Sequence, residues 1–192
     1  ACPALNSYWP WGATRSSRSK QSCATWKPNV ADAICNTSPL LYLYRIGAME
    51  WLHRLFGSIW VPRAVVSELH EGQRQGYDVP NLAQYSWLNI VDSRSPPSEW
   101  LSLDLGPGEL AALSLALENP THVLLLDDAL ARRTAQAAGL TVMGTLGILL
   151  QAKSQGLTDS IAPSLDRLQD VGMWISSEVR VRILVLADEL TP

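Results

Sequence analysis

The feature that most constrains this chain is an alternation. From residue 30 onward, short apolar runs of strand length take turns with stretches of helical periodicity. Parallel strands need long crossovers, and those crossovers are usually helical, so the alternation predicts an α/β domain with a parallel sheet covered by helices. His122 to Leu126 is the clearest buried strand, closed by Asp127-Asp128 and followed by a helix over Ala129 to Ala138 with Gly139 as its stop. Ala31 to Cys35 reads as the first strand, and Asn36-Thr37-Ser38-Pro39 opens a helix with proline in its first turn. Ser58 to Val61, Trp87 to Val91 and Thr141 to Met143 supply the other strands. Further helices are expected at Met49 to Phe56, from Pro62 to about His70 with its exit at Glu71-Gly72, and from Glu109 to Leu117 behind Gly106-Pro107-Gly108. Three more are expected at Thr145 to Gln155 and at about 164–171 and 177–189.

With 192 residues, 47% of them hydrophobic, the chain can bury one sizeable core, and two domains would each be small. No run approaches the roughly 18 to 20 apolar residues of a membrane span. The start lacks the apolar core of a signal peptide, and Cys2, Cys23 and Cys35 have no metal or disulfide spacing, so a soluble protein in a reducing cytoplasm is expected. A net charge of -3 gives no broad basic signature of nucleic-acid binding. The charge is uneven, however: residues 1–30 hold Arg15, Arg18, Lys20 and Lys27 and no acid. Residues 1–29 are expected to be a disordered or non-native basic extension, with an RNA-contacting arm as the alternative, and residues 30–192 the domain.

Open parallel sheets place their sites at the carboxyl ends of the strands. Asn36, Glu68, Glu109 and the pair Asp127-Asp128 all fall just after strands or near the helix starts that follow them. Carboxylates gathered from separate elements repel one another unless a cation sits among them, and oxygen ligands of this kind suit Mg2+ or Mn2+. Each residue also has an ordinary explanation. Glu109 in a first turn suits the helix dipole, an aspartate before a helix is a common cap, and Glu68 can be a solvated neighbour of the buried stripe. His53, His70 and His122 stand apart and read as packing or surface residues.

The motifs, taken together, resemble a subgroup of the PIN-domain family. They are Cys35-Asn36-Thr37-Ser38-Pro39-Leu40, Val61-Pro62-Arg63-Ala64-Val65-Val66-Ser67-Glu68-Leu69, Leu105-Gly106-Pro107-Gly108-Glu109-Leu110, Leu124-Leu125-Leu126-Asp127-Asp128 with Ala131-Arg132, and Gly144-Thr145-Leu146-Gly147-Ile148-Leu149-Leu150 with Ala152-Lys153. The resemblance covers about residues 30–189. It implies a three-layer α/β/α sandwich with a short parallel sheet. In many relatives it also implies the toxin of a type II toxin-antitoxin pair, a homodimer that cleaves RNA with Mg2+ or Mn2+ and is neutralised by a small antitoxin protein. Carried over by position, Glu68, Glu109 and Asp128 would be catalytic metal-binding carboxylates, with Asp127 a neighbour or substitute. Asn36 would be a further ligand, and Thr37 and Ser38 would hold a metal-bound water or a phosphate, unless they cap the helix.

One position departs from the broad family, which has aspartate where this chain has Asn36. An amide oxygen can ligate a hard cation but brings no charge, so weaker metal binding is expected. Asp32 is too far along the strand to substitute, at roughly 13 Å. The sequence therefore supports a metal-dependent endoribonuclease first, a catalytically weakened PIN-fold binding module for RNA or an antitoxin-like partner second, and third an α/β domain whose acids are caps.

Overall fold

The computed structural model describes residues 31–95 and 105–190. Five strands, β1 (Ala33–Cys35), β2 (Ile59–Val61), β3 (Leu88–Ile90), β4 (Val123–Leu125) and β5 (Val142–Met143), form one sheet in the order β3-β2-β1-β4-β5. Every pairing is parallel, with Cys35 opposite Leu125 and Val61 opposite Ile90. The helices are α1 (Thr37–Arg45), α2 (Met49–Leu55), α3 (Arg63–Arg74), α4 (Pro107–Glu118), α5 (Ala129–Ala137), α6 (Thr145–Ser154), α7 (Ala162–Asp170) and α8 (Ser177–Leu186).

Successive side chains of a strand point to opposite faces, and both faces of the central strands β1 and β4 are dry. Ala33, Cys35, Val123 and Leu125 join a core shared with α1, α2, α3, α6, α7 and α8, whereas Ile34, Leu124 and Leu126 join one shared with α4 and α5. This is the expected three-layer α/β/α sandwich. Burial on both faces also explains why the strands read as continuous apolar runs rather than alternating ones. Each fully buried leucine, such as Leu40, Leu52 or Leu124, contributes about 2 kcal/mol to this arrangement.

Strands come out shorter than their apolar runs: Ala31, Asp32, His122 and Leu126 fall outside the strand bounds, although Leu126 N still donates to Met143 O and Asp32 O accepts from Val123 N, each at 2.9 Å. The helix after β2 does not leave at Glu71-Gly72 but continues to Arg74. Gly72 lies inside the helix at a close approach of the returning chain, where a Cβ would meet Val79 Cγ1 at 3.3 Å. The exit falls instead at Gly76, whose φ of +84° is the left-handed conformation glycine adopts cheaply. A short 3-10 turn at Leu82–Gln84, with Asn81 capping it, fills a stretch that carries no periodic signal. α4 starts two residues before Glu109, with Pro107 at its first position. The expected extension at 1–29 and the Pro96-Pro97-Ser98 portion of the loop lie outside the described residues.

Candidate active site at the carboxyl edge of the sheet

In the order β3-β2-β1-β4-β5 the chain turns one way after β1 and the other way after β4, so the carboxyl ends of these two central strands flank the topological switch point. Asn36 sits there, directly after β1, and its N–H donates to Leu125 O at 3.1 Å. It occupies the N-cap position of α1, yet its side chain caps nothing. The residue is 1% exposed, and its Oδ1 has no hydrogen-bond partner among the described residues. Leaving a buried acceptor unpaired costs about 1–3 kcal/mol, which a donor or a cation would recover.

On one side of Asn36 lies Glu68. The Thr37 hydroxyl donates to Glu68 Oε2, and Gly108 N donates to Oε1 at 2.7 Å. Thr37 thus serves Glu68 and does not cap its helix. Gly108 is glycine because the Glu68 carboxylate fills the place of a Cβ: Cδ and Oε1 would lie 2.8 Å from one. The neighbouring Glu109 turns back on its own helix, accepting from Gly106 N at 2.7 Å, which satisfies one of the donors a helix start leaves open. Ser38 is half-buried in the first turn of α1.

On the other side lies Asp127, which takes Thr145 N at 2.7 Å and the Thr145 hydroxyl at 2.6 Å at the start of α6. Burial pushes its pKa above the ordinary value, while Thr145 and the charge of Arg132 pull the other way. The charge of Asp127 is felt nearby. The Cys35 thiol is pushed well up, first by burial and then by Asp127, and the Tyr42 hydroxyl is raised by the same two causes. Asp128 differs: it is exposed and caps α5, accepting from Ala131 N at 2.7 Å. Asp127 is therefore the inward member of the pair and Asp128 the rim member.

The structure thus brings Asn36, Thr37 and Glu68 together on one flank and Asp127 with Thr145 on the other. Glu109 and Asp128 cap their own helices. Among the described residues no three His, Cys, Asp or Glu side chains form a group that could hold a metal ion. The donor set still suits a hard cation, because it is all oxygen and includes the unpartnered Asn36 Oδ1. Each bonded carboxylate oxygen also keeps a second lone pair. Asp32 lies at the opposite edge, 3.8 Å from His122 Nε2, and His53 stacks on Trp87, so these residues stay outside the site. A cavity lined by Trp60, Val91, Leu115 and Asn119 reaches the far end of α4, away from Glu109.

Thr145, Gly144 and Arg132 are not among the site residues expected from the sequence. The signal was present: Gly144-Thr145 follows β5 as Asn36-Thr37 follows β1, so the same strand-end rule reaches both. Gly106-Pro107-Gly108 reads as punctuation, whereas its two glycines admit the carboxylates of Glu109 and Glu68.

No helix of the described residues is long and apolar enough to cross a membrane. A comparison with protein families matches residues 32–189 to the DUF3368 family, described as a PIN domain. No curated protein matches the chain.

Proposed function

The chain belongs to the PIN-domain family, a nuclease-type fold, and on that footing we propose that it is a Mg2+- or Mn2+-dependent endoribonuclease, the toxin of a type II toxin-antitoxin pair. The observation that carries this reading is the buried, unpartnered Oδ1 of Asn36, set at the switch point with Glu68 on one flank and Asp127 on the other. PIN domains generally use divalent metal ions, and Asn36, Glu68 and Asp127 would hold one here from within. Glu109 and Asp128 would complete the set from the rim, since each has a carboxylate oxygen that accepts no bond from a described residue. Bound there, the ion would lower the pKa of a water and offset the charge of the phosphodiester transition state.

The chain's own residues supply the rest. Thr37 holds Glu68 in place, Thr145 holds Asp127, and Ser38 in the first turn of α1 would bond a phosphate oxygen or the attacking water. The motif resemblance favours RNA as the substrate, a homodimer as the working form in the cytoplasm, and a small antitoxin as the partner that covers the acidic edge. The test is cleavage of labelled RNA by the purified chain with Mn2+. Activity should need the metal and be lost in Glu109→Gln and Asp128→Asn; metal-dependent cleavage that survives Glu109→Gln contradicts the assignment.

A second reading, a weakened PIN-fold module that binds RNA or an antitoxin-like partner without cutting, is favoured by two observations. Asn36 brings no charge, and every carboxylate of the site is already met by an internal donor. On this reading Asn36→Asp creates or sharply raises cleavage, and no change counts against a charge deficit as the cause.

A further inference from the structure

We infer that Arg132 clamps a backbone phosphate of the nucleic-acid substrate, an inference that rests on the nuclease reading above. Arg132 stands four residues after the cap of α5 and is half-buried. Long side chains on a helix lean toward its N-terminus, and that end of α5 is the carboxyl edge of the sheet. Arg132 Nη1 lies 2.9 Å from the position a Cβ on Gly144 would take, and Asp127 Oδ1 lies 2.9 Å from the same position. The two side chains therefore close together over the bare face of residue 144, and a Cβ there would have to push them aside. Gly144 has φ -97° and ψ 174°, a conformation open to any residue, so space and not backbone freedom is what glycine provides here.

The guanidinium faces Asp127, whose pKa its charge lowers, yet it is not tied down there. Arg132 enters none of the ion pairs among the described residues, and its side chain makes no hydrogen bond to them. A guanidinium has five donors in a planar fork that matches phosphate oxygens two at a time. Asp127 and Asp128 repel a phosphate at this edge, and Arg132 supplies the opposing charge that lets one settle. The ligand class is a phosphodiester backbone, read by charge and shape and not by base sequence.

The experiment is fluorescence anisotropy of the full chain with a labelled single-stranded RNA, with Ca2+ in place of Mn2+, over a series of salt concentrations. Arg132→Gln should weaken binding about tenfold at low salt and reduce the slope of log affinity against log salt by about 0.7, the amount expected for one phosphate contact. Arg132→Lys keeps the charge, so it should keep the slope while losing a few-fold in affinity. Gly144→Ala would push Arg132 and Asp127 from their places and should weaken binding, whereas Arg133→Gln, on the exposed neighbour, should leave the slope alone. If Arg132→Gln does not fold, the lysine variant decides, and affinity equal to the parent overturns the proposal. A parent that binds RNA with a slope unchanged in Arg132→Gln overturns this inference alone. A parent that binds no RNA overturns the nuclease reading with it.

Discussion

Glu189, far from the acidic edge, sets a quantitative trial of how this domain is closed. Its carboxylate takes four donors: Lys153 Nζ at 2.7 Å, the Ser160 hydroxyl at 2.7 Å, Ile161 N at 2.6 Å and Ala162 N at 3.0 Å. It thereby ties the end of α6 and the start of α7 to the chain after α8. Glu189→Ala strands the Lys153 ammonium and the two N–H groups together. Removing one partner of a buried ion pair costs about 3–5 kcal/mol, and the lower end, about 3 kcal/mol, applies because Lys153 keeps 21% of its exposure. For a domain of this size that is roughly 6–12 °C in Tm. Glu189→Gln keeps one acceptor oxygen and should cost about half as much. Urea unfolding followed by circular dichroism measures both.

The same site carries a pH signature. Burial opposes the charged form of Glu189, but the four donors outweigh it and hold the pKa at about 2, below the ordinary 4.5. A depressed carboxylate stabilises the fold above its unfolded pKa and loses that contribution as pH falls through the folded one. The parent should therefore lose stability between pH 4.5 and about 2 more steeply than Glu189→Gln, which has no proton to take up. A Glu189→Ala loss under about 1 kcal/mol, or parallel acid limbs for parent and Gln variant, would refute the reasoning.

Three further outcomes follow from the acidic edge. Gly108→Ala drives a Cβ into the Glu68 carboxylate and breaks its bond to Gly108 N, so urea unfolding should show a loss of about 2 kcal/mol and Mn2+ affinity should fall. Thr145→Val removes the hydroxyl from Asp127 but keeps the backbone donor. It should cost about 1–2 kcal/mol by the same assay, and more at neutral than at acid pH, where Asp127 is protonated. Asn36→Asp buries a charge beside Asp127 and should destabilise the metal-free chain by about 2 kcal/mol, with Mn2+ restoring the loss in a thermal-shift titration.

Much of this architecture is legible in the residues because strand-sized apolar runs and helix stop signals are local. His122 to Leu126 announces a strand buried on both faces, and Gly47, Gly139 and Gly156 mark helix exits that recur with positive φ. Where local reading fails, a distant contact decides. Gly72 answers to a close approach of Val79 and not to a helix end, and the start of α4 moves to Pro107 as Glu109 reaches back to Gly106. The site is legible in its positions but less so in its roles. Strand-end logic finds Asn36, Glu68, Glu109 and Asp127-Asp128, yet which aspartate points inward depends on Thr145 at the other end of a crossover. That Asn36 caps nothing, and that Glu109 and Asp128 do cap, are facts of side-chain direction that no periodicity carries.

On the proposed reading, the oxygens around Asn36 form a seat for a divalent cation. Calorimetric titration of Mn2+ into the full chain, beside Asn36→Ala and Asp127→Asn, measures it. One saturable binding event is expected in the parent, strongly weakened in both variants while their folds persist by circular dichroism. A parent that takes up no Mn2+, or variants that bind it as the parent does, would rule the cation seat out.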